Sequence, residues 1–515
     1  MTLLSSHACD LISYFLNSSL SVRSYTLGFI IAASSSTFAV YAIGRACSAI
    51  GKSGLDILAE IIVGDLTTLE WRGFISALLS TPTIILTPIS GFIADGLDDR
   101  WRLGLGIFAV MIPICLAPAI GILCVIQHRG KQLGAVTIAS SKVVRMSGQL
   151  PRDKSWLQVF WQGLIDVDLS GLILLGSAFA LILLPFNLRS SAAGGWSNPS
   201  MIAMLLVGVA LLVCYGLYEK FLSPKPMLTR RIIYNRAFLC AIFVEVFTQM
   251  SSFVKATYFS SYIYVTKDWS NYVLIIFIGI TSMGLCIVGP IAGILQRLTH
   301  RYKTMTILGT LGKVVGYGVL INAGRNTMTT STSRLVASQL ITCLGAFSVV
   351  GSRVASQASV PHEDLASVIS LLSLLSSLGS AIGVAIAGGI WSGEVLDHLY
   401  RELPDVPAAT VKELYGSIRM VRTSYAIEDP IRQGVIRAYS QVNGHIGITA
   451  LCIAVLPVFA TLYFPDFYLG KQHNVITETT LDGERVEVPH CYAYEGESSV
   501  KKWYVRLRDL FRKDM

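Results

Sequence analysis

Three ionisable residues, Lys52, Asp56 and Glu60, recur at intervals of four within residues 44–67, a run that is mostly apolar or small. Positions four apart lie on one face of an α-helix. The run is long enough to cross a bilayer, where an ionisable side chain is costly and normally faces a cavity or a partner. Two interpretations stay open. Either Lys52 and Asp56 neutralise each other while Glu60 lies at the membrane surface, or the three form a cavity-lining face that handles protons or substrate.

A second set of ionisable residues lies in later apolar runs. Glu245 and Lys255 belong to the run 237–264, where helical geometry places them roughly on one face and about 15 Å apart along the axis. Glu245 is deep in this run, and it either pairs with Lys313 or carries a transported proton. Lys255 either faces a cavity or extends its amine to the outer interface. The three residues are therefore the second candidate for proton coupling.

Sequence motifs for catalysis and for metal binding are absent. The chain contains no Walker A sequence, no nucleophile elbow and no HExxH. Its ten cysteines are scattered singly, and His300, His362 and His445 fall at predicted membrane edges without a visible cluster. We therefore expect no enzyme, no resident metal and no cofactor.

The composition is that of a polytopic membrane protein. Of the 515 residues, 53% are hydrophobic and only 14% are charged, whereas soluble domains have roughly 25% charged residues. The net charge of +9 comes from Lys and Arg clustered between apolar runs. That pattern follows the positive-inside rule and excludes a nucleic-acid-binding surface as its explanation.

The apolar runs predict an all-α fold. A membrane-spanning helix needs about 20 mostly apolar residues. Twelve runs meet this length, and they lie at residues 11–33, 38–63, 73–95, 103–126, 168–187, 200–219, 237–264, 272–296, 304–323, 334–352, 364–392 and 446–465.

The basic residues also predict the orientation and the regions of the chain. With the N-terminus inside, most Lys and Arg fall in cytoplasmic loops, so both termini are expected in the cytoplasm. An outer loop at 393–445 contains short helical patterns around 411–419 and 430–442. The predicted regions are an incomplete N-terminal helix bundle (1–126), a cytoplasmic loop with two inserted helices (127–235), a C-terminal bundle that includes the outer loop (236–465), and a cytoplasmic tail (466–515).

Several short runs, in order, resemble the fungal siderophore-iron transporters of the major facilitator superfamily. They are DLTTLEWRG at 65–73, NRAFLC at 235–240, QASVPHED at 357–364, GGIWS at 388–392, ELYGSI at 413–418 and IRAY at 436–439. The resemblance extends from about Tyr25 to Phe467. It implies a 14-helix architecture in which two six-helix halves flank a central cavity and two further helices lie between them. The spans of this chain then correspond to helices three to fourteen, and the first two helices, with their loop motif, are lacking.

The resemblance also implies the activity and its partners. We expect a secondary-active, proton-driven transporter of ferric siderophores that acts as a monomer in the lipid bilayer of the plasma membrane or of an endosomal or vesicular membrane. A second-half counterpart of the missing loop motif is present as GILQRLTHRYK at 293–303. The residues expected at the cytoplasmic gate are Arg72, Arg297, Arg301 and Lys303. The aromatic residues expected to bind substrate are Tyr258, Phe259, Tyr262 and Tyr264 in the cavity, and Tyr415 and Tyr439 in the outer loop, which is expected to form a lid.

Two other functions stay open. Proton-coupled efflux of drugs or toxins usually goes with a Gly-Pro-rich motif in the fifth helix of facilitators. Residues 80–91, STPTIILTPISG, have the prolines but not that motif. The other alternative is a membrane sensor or an inactive remnant that transports nothing.

Overall fold

The computed structural model describes residues 19–97, 100–132, 168–188, 195–223, 234–325, 332–361 and 364–475. Every regular element in these ranges is a helix. The α-helices, numbered in chain order, are α1 (19–33), α2 (Phe38–Leu66), α3 (Leu69–Leu78), α4 (Thr83–Leu97), α5 (Trp101–Gln132), α6 (Leu169–Leu188), α7 (Pro199–Phe221), α8 (Arg236–Thr266), α9 (Asn271–Thr299), α10 (Lys303–Arg325), α11 (Thr332–Thr342), α12 (Ala346–Ala358), α13 (Leu365–Glu402), α14 (Ala408–Gly416), α15 (Ile418–Ser424) and α16 (Pro430–Leu462).

The predicted membrane spans are largely confirmed. In the described ranges, ten helical stretches are long and apolar enough to cross a membrane, and each overlaps one of the twelve predicted spans. The predicted span 38–63 is the helix α2, which is not among the ten and contains Arg45, Lys52, Asp56 and Glu60. The predicted span 11–33 is described only from residue 19, where it is helical.

The chain divides into two compact units. One comprises residues 1–66 and 92–163, and the other comprises residues 67–91 and 164–515. In the first unit, α1 and α2 pack closely through glycines. A Cβ at Gly44 would lie 2.6 Å from the backbone nitrogen of Ala32. Only glycine permits this approach of the two helices, as small residues do in many membrane helix pairs.

Glycines also permit close helix contacts in the second unit. A Cβ at Gly379 would lie 2.6 Å from the Val246 carbonyl oxygen, and one at Gly383 would lie 2.5 Å from that of Met250. These two glycines are four residues apart on α13, so one small face lies against the backbone of α8. The sequence pattern of α13 predicts such tight packing, and the structure confirms it at these two positions.

The predicted outer loop is mostly helical. Helix α13 continues to Glu402, α14 and α15 follow, and α16 begins at Pro430, so the short helical patterns predicted there are confirmed. Asp429 caps α16 by accepting a hydrogen bond from the Ile431 nitrogen (2.8 Å), and Pro430 occupies the first turn. Buried Arg432 donates to the Val265 carbonyl (3.1 Å), which ties α16 to the end of α8.

Candidate functional site

A cavity of about 610 Å³ lies within the second unit. Its walls come from α3, α8, α9, α10 and α12, with further residues from the first turn of α4 and from α11. The residues that α3 contributes include three small ones, Gly73, Ser76 and Ala77. The volume is within the range of about 300–1,000 Å³ that small-molecule sites occupy. The cavity is therefore large enough for an organic ligand.

Lys255 reaches this cavity from α8, and its amine contacts an amide oxygen and an aromatic ring. The side chain is 7% exposed, and Nζ donates a hydrogen bond to Gln339 Oε1 (3.3 Å). The same Nζ lies 5.1 Å from the centroid of the Phe259 ring. Gln339 is held in turn, because its Nε2 donates to the Phe277 carbonyl (3.2 Å). Within the described ranges, the ammonium charge of Lys255 therefore has an amide and an aromatic face as its partners.

Lys313 is the second cation of the cavity. It is 5% exposed, and its Nζ donates to the Thr248 carbonyl and to Ser252 Oγ (2.8 Å). The Tyr317 ring lies below it, with 5.6 Å between Nζ and the ring centroid. The amine of Lys313 is thus bound to α8 through Thr248 and Ser252, and its pairing with Glu245 stays a prediction. Two ammonium groups thus line one cavity.

Glu245 lies at 1% exposure on α8, beside α12. Ser352 Oγ donates a hydrogen bond to Oε2 (3.1 Å), and Arg353 NH2 lies 3.5 Å from Oε1. Arg353 lines the cavity and its side chain is 36% exposed, so the pair joins a buried carboxylate to a group at the cavity wall. Sequence reasoning placed Arg353 only among the basic loops. Its position just after the predicted span 334–352 was the available signal.

The aromatic residues predicted for the cavity lie at different places around α8. Phe259 lines the cavity. Tyr258 stacks on Trp391 instead, with 4.4 Å between ring centroids and 2° between ring planes. Tyr262 is 0% exposed in the hydrophobic core, and Tyr264 lies 4.5 Å beneath the guanidinium of Arg422. Because successive residues of a helix are turned by about 100°, one helix cannot bring all four to one face.

The two outer-loop tyrosines lie at the edge of the same hydrophobic core. Tyr439 is 1% exposed and makes an edge-to-face contact with Trp391, at 4.9 Å between centroids. Tyr415 is partly buried against this cluster. Their role in substrate capture stays a prediction. Lys52 and Asp56 are exposed on α2 and Glu60 is partly buried, in the first unit, and their role also stays a prediction.

The predicted gate residues surround a segment that follows α16. Arg72 is 1% exposed and donates to the carbonyls of Thr67 (3.0 Å) and His473 (3.2 Å). The Arg297 guanidinium lies 3.7 Å from the centroid of the Trp71 ring. Arg301 pairs with Asp466 at 3.7 Å, and Lys303 opens α10. The structure thus brings these four residues to one end of the second unit.

Residues 464–475, which we name the strap, connect three helix ends at this location. The Leu69 nitrogen donates to the Gln472 carbonyl (3.1 Å), the Leu469 nitrogen to that of His300 (3.0 Å), and the Val475 nitrogen to that of Ala358 (3.1 Å). The predicted cytoplasmic tail comprises residues 466–515, but its first ten residues, 466–475, pack against the second unit. Residues 476–515 lie outside the described residues.

The strap is held by apolar burial as well as by backbone hydrogen bonds. Phe464, Phe467 and Leu469 are each 1% exposed. Burial raises the pKa of Asp466 above its usual value, while Arg301 and Lys303 lower it in part. At this end of the second unit, the strap therefore packs against the helix ends and belongs to the folded core.

Comparison with known proteins places the chain among fungal membrane transporters. No model of a known protein family matches it. A siderophore transporter of Zymoseptoria tritici is 48% identical over 468 residues, which cover 90% of this chain and 72% of the relative. A low affinity heme transporter of Schizosaccharomyces pombe is 39% identical, with 88% and 71% covered. A siderophore transporter of Mycosarcoma maydis is 36% identical, with 90% and 72% covered.

Among solved structures, a mutant of the peptide transporter POT aligns with a TM-score of 0.42 and 16% identity, covering 88% of this chain and 84% of that one. The apolar helices and the transporter relatives together identify a multi-pass membrane protein.

Proposed function

Because the chain belongs to the family of fungal siderophore-iron transporters, we propose that it carries ferric siderophores across a membrane through the 610 Å³ cavity of its second unit. The observation that carries this proposal is the identity of 48% to a relative named as a siderophore transporter, in a chain that covers 72% of that relative. The buried amines of Lys255 and Lys313 would supply hydrogen-bond donors for the substrate.

The cavity matches the surface of a ferric chelate. Such a ligand presents oxygen atoms around an iron ion that is already coordinated, so the cavity itself needs no metal ligand. The amines of Lys255 and Lys313 are hydrogen-bond donors only, and the face of Phe259 offers a flat apolar contact. Donors and an aromatic face together favour an oxygen-rich organic ligand.

The proposal includes proton coupling, in which Glu245 is the residue that takes up and releases the proton. A buried carboxylate is stable when it is paired or when it is protonated. Movement of Arg353 away from Glu245 as the cavity fills or empties would favour a proton in its place. Asp56 and Glu60 on α2 are the second candidates for this role, as ionisable residues of a predicted membrane span.

A second candidate substrate is heme. The Schizosaccharomyces pombe relative, at 39% identity, is named a low affinity heme transporter. The two propionate carboxylates of heme would each pair with an ammonium group, and the cavity supplies two of these. Neutral ferric hydroxamates have no such charge, so toward them the two lysines would act as hydrogen-bond donors only.

Uptake assays in a yeast strain without its own siderophore transporters test the proposal. We expect the chain to restore uptake of radiolabelled iron supplied as a ferric hydroxamate. Lys255→Gln and Lys313→Gln should each lower uptake about tenfold, since hydrogen bonds to charged groups contribute about 1.5–3 kcal/mol. The control is Lys220→Gln, because Lys220 is exposed on α7 and does not line the cavity.

The outcomes separate the candidates. Uptake of heme without uptake of ferric chelates, lost in the same two lysine variants, would establish the second substrate. A chain present at normal abundance in the membrane that takes up neither compound would overturn the proposal.

A further inference from the structure

Three potential metal ligands, Glu394, His398 and His445, lie close together where α13 packs against α16. Glu394 and His398 are four residues apart on α13 and therefore share one face, and His445 lies opposite them on α16. One ligand atom from each residue lies within 4.8 Å of the other two. His445 Nδ1 is 2.6 Å from Glu394 Oε2. This cluster could not be recognised from the sequence, because 47 residues separate His398 from His445.

The ligand set has the chemistry of a transition-metal site. Two imidazoles and one carboxylate suit Zn²⁺ and neighbouring divalent ions, whereas Ca²⁺ and Mg²⁺ prefer oxygen ligands. Bonds of about 2.0–2.2 Å in tetrahedral geometry place ligand atoms about 3.3 Å apart. The ligand atoms, which lie within 4.8 Å of one another, therefore have to move closer together by side-chain rotation when an ion binds. The Glu394 and His445 side chains are 39% and 53% exposed, so both have room to rotate and water can occupy a remaining position.

A neighbouring contact between α13 and α16 consists of an ion pair and a hydrogen bond without any metal-ligating histidine, and it serves as a comparison. Two turns beyond Glu394, Glu402 pairs with Arg437 (2.7 Å) and accepts a hydrogen bond from Gln441 (3.1 Å). Arginine stays protonated and does not ligate metals. In the cluster, His445 takes the place that Arg437 has in the neighbouring pair. His398 adds a second imidazole, which an ion pair between Glu394 and His445 does not require. The added ligand is the feature that a helix–helix ion pair leaves unexplained.

We propose that Glu394, His398 and His445 bind a divalent transition-metal ion of the Zn²⁺ class, which links α13 to α16. This site is separate from the cavity, whose lining includes none of the three residues. The ion is bound by protein side chains and is distinct from any iron that arrives inside a chelate. Because the metal binds the folded chain, it stabilises the helix pair.

Zinc binding to the purified full-length chain in detergent tests the proposal. The measurements are titration against a chromophoric zinc chelator and the shift in Tm on adding ZnCl₂. We expect one site in the wild type whose affinity falls at least tenfold in Glu394→Gln, His398→Asn and His445→Gln. The comparison is with Glu402→Gln, which disrupts the neighbouring ion pair and should leave zinc affinity unchanged.

The design separates ligation from folding and from cysteine binding. His445→Gln keeps an N–H donor for Glu394, so its Tm without zinc should equal that of the wild type. All ten cysteines remain in every variant, so zinc bound to thiols appears equally in all titrations. An unchanged zinc affinity in the His398→Asn and His445→Gln variants, or an equal loss in Glu402→Gln, would overturn the proposal. A wild type that binds no zinc would do the same.

Discussion

At the scale of residues, Glu245 combines deep burial with two partners of different exposure, since Ser352 is buried and the Arg353 side chain is 36% exposed. Ser352 holds one carboxylate oxygen through a hydroxyl donor within the interior, and Arg353 approaches the other from the cavity wall. Removing the charged partner of a buried carboxylate is costly unless a proton replaces it. We therefore propose that binding in the cavity and protonation of Glu245 are linked through Arg353.

Substitution of Glu245 by Gln tests this link. The amide still accepts a hydrogen bond from Ser352 but cannot exchange a proton, so we expect uptake to lose its dependence on external pH. Accumulation should fall about tenfold or more, because losing a charged hydrogen-bonding group costs about 1.5–3 kcal/mol. Uptake rates measured across external pH provide the readout. The matched variant is Glu428→Gln at an exposed position, and a wild-type pH profile in Glu245→Gln would exclude the role.

The sequence identified the buried ionisable residues of α8 and α10 better than their partners. Lys255, Lys313 and Glu245 were evident because an ionisable residue stands out in an apolar run. Their neutral partners were not, because a glutamine or a serine in a membrane helix gives no pattern of its own. Gln339 lies 84 residues from Lys255, and Ser352 lies 107 residues from Glu245. Such contacts depend on helix packing, which a single sequence does not specify.

At the scale of elements, the membrane helices could be predicted and their extensions could not. Hydropathy detects the part of a helix that lies in lipid, about 30 Å of hydrocarbon. Helix α13 has 38 residues, which span about 57 Å at 1.5 Å per residue. Its last turns and the first turns of α16 are polar outside and buried inside against each other. The predicted boundary at residue 393 marks the change in polarity and not the end of the helix.

The strap is a second element that hydropathy could not predict. Its residues are mixed in polarity, yet Gln472 is 0% exposed and its backbone carbonyl accepts from Leu69. Backbone groups of a segment without regular structure are satisfied here by the free ends of helices. The strap therefore joins α3 to the loop before α10 and to the end of α12.

A pair of truncations tests the strap. A chain that ends after Val475 keeps every contact described for it, and we expect uptake within about twofold of the wild type. A chain that ends after Tyr463 exposes the ends of three helices and loses the burial of two phenylalanines, each of which contributes about 3 kcal/mol or more. We expect it to lose uptake and to unfold at a lower temperature in detergent. Equal uptake and equal Tm in the two chains would show that the strap is dispensable.

At the scale of the whole molecule, the distribution of Lys and Arg predicts which side of the membrane each end faces. The basic gate residues Arg297, Arg301 and Lys303 cluster with the strap at one end of the second unit. Segment 403–429, which joins α13 to α16, lies beyond the opposite ends of those helices. Since positively charged loops stay in the cytoplasm, the strap is predicted to be cytoplasmic and segment 403–429 to be outside.

Two epitope tags test this orientation, one after Met515 and one inserted after Asp405, which is exposed between α13 and α14. In intact cells we expect antibody to label the tag at Asp405 alone, and after permeabilisation to label both. For a protein in an internal membrane, sealed vesicles with their cytoplasmic face outward should give the reverse, with the tag after Met515 labelled first. Labelling of the Met515 tag from outside intact cells would contradict the prediction, because it would place the C-terminus outside the cell and not in the cytoplasm.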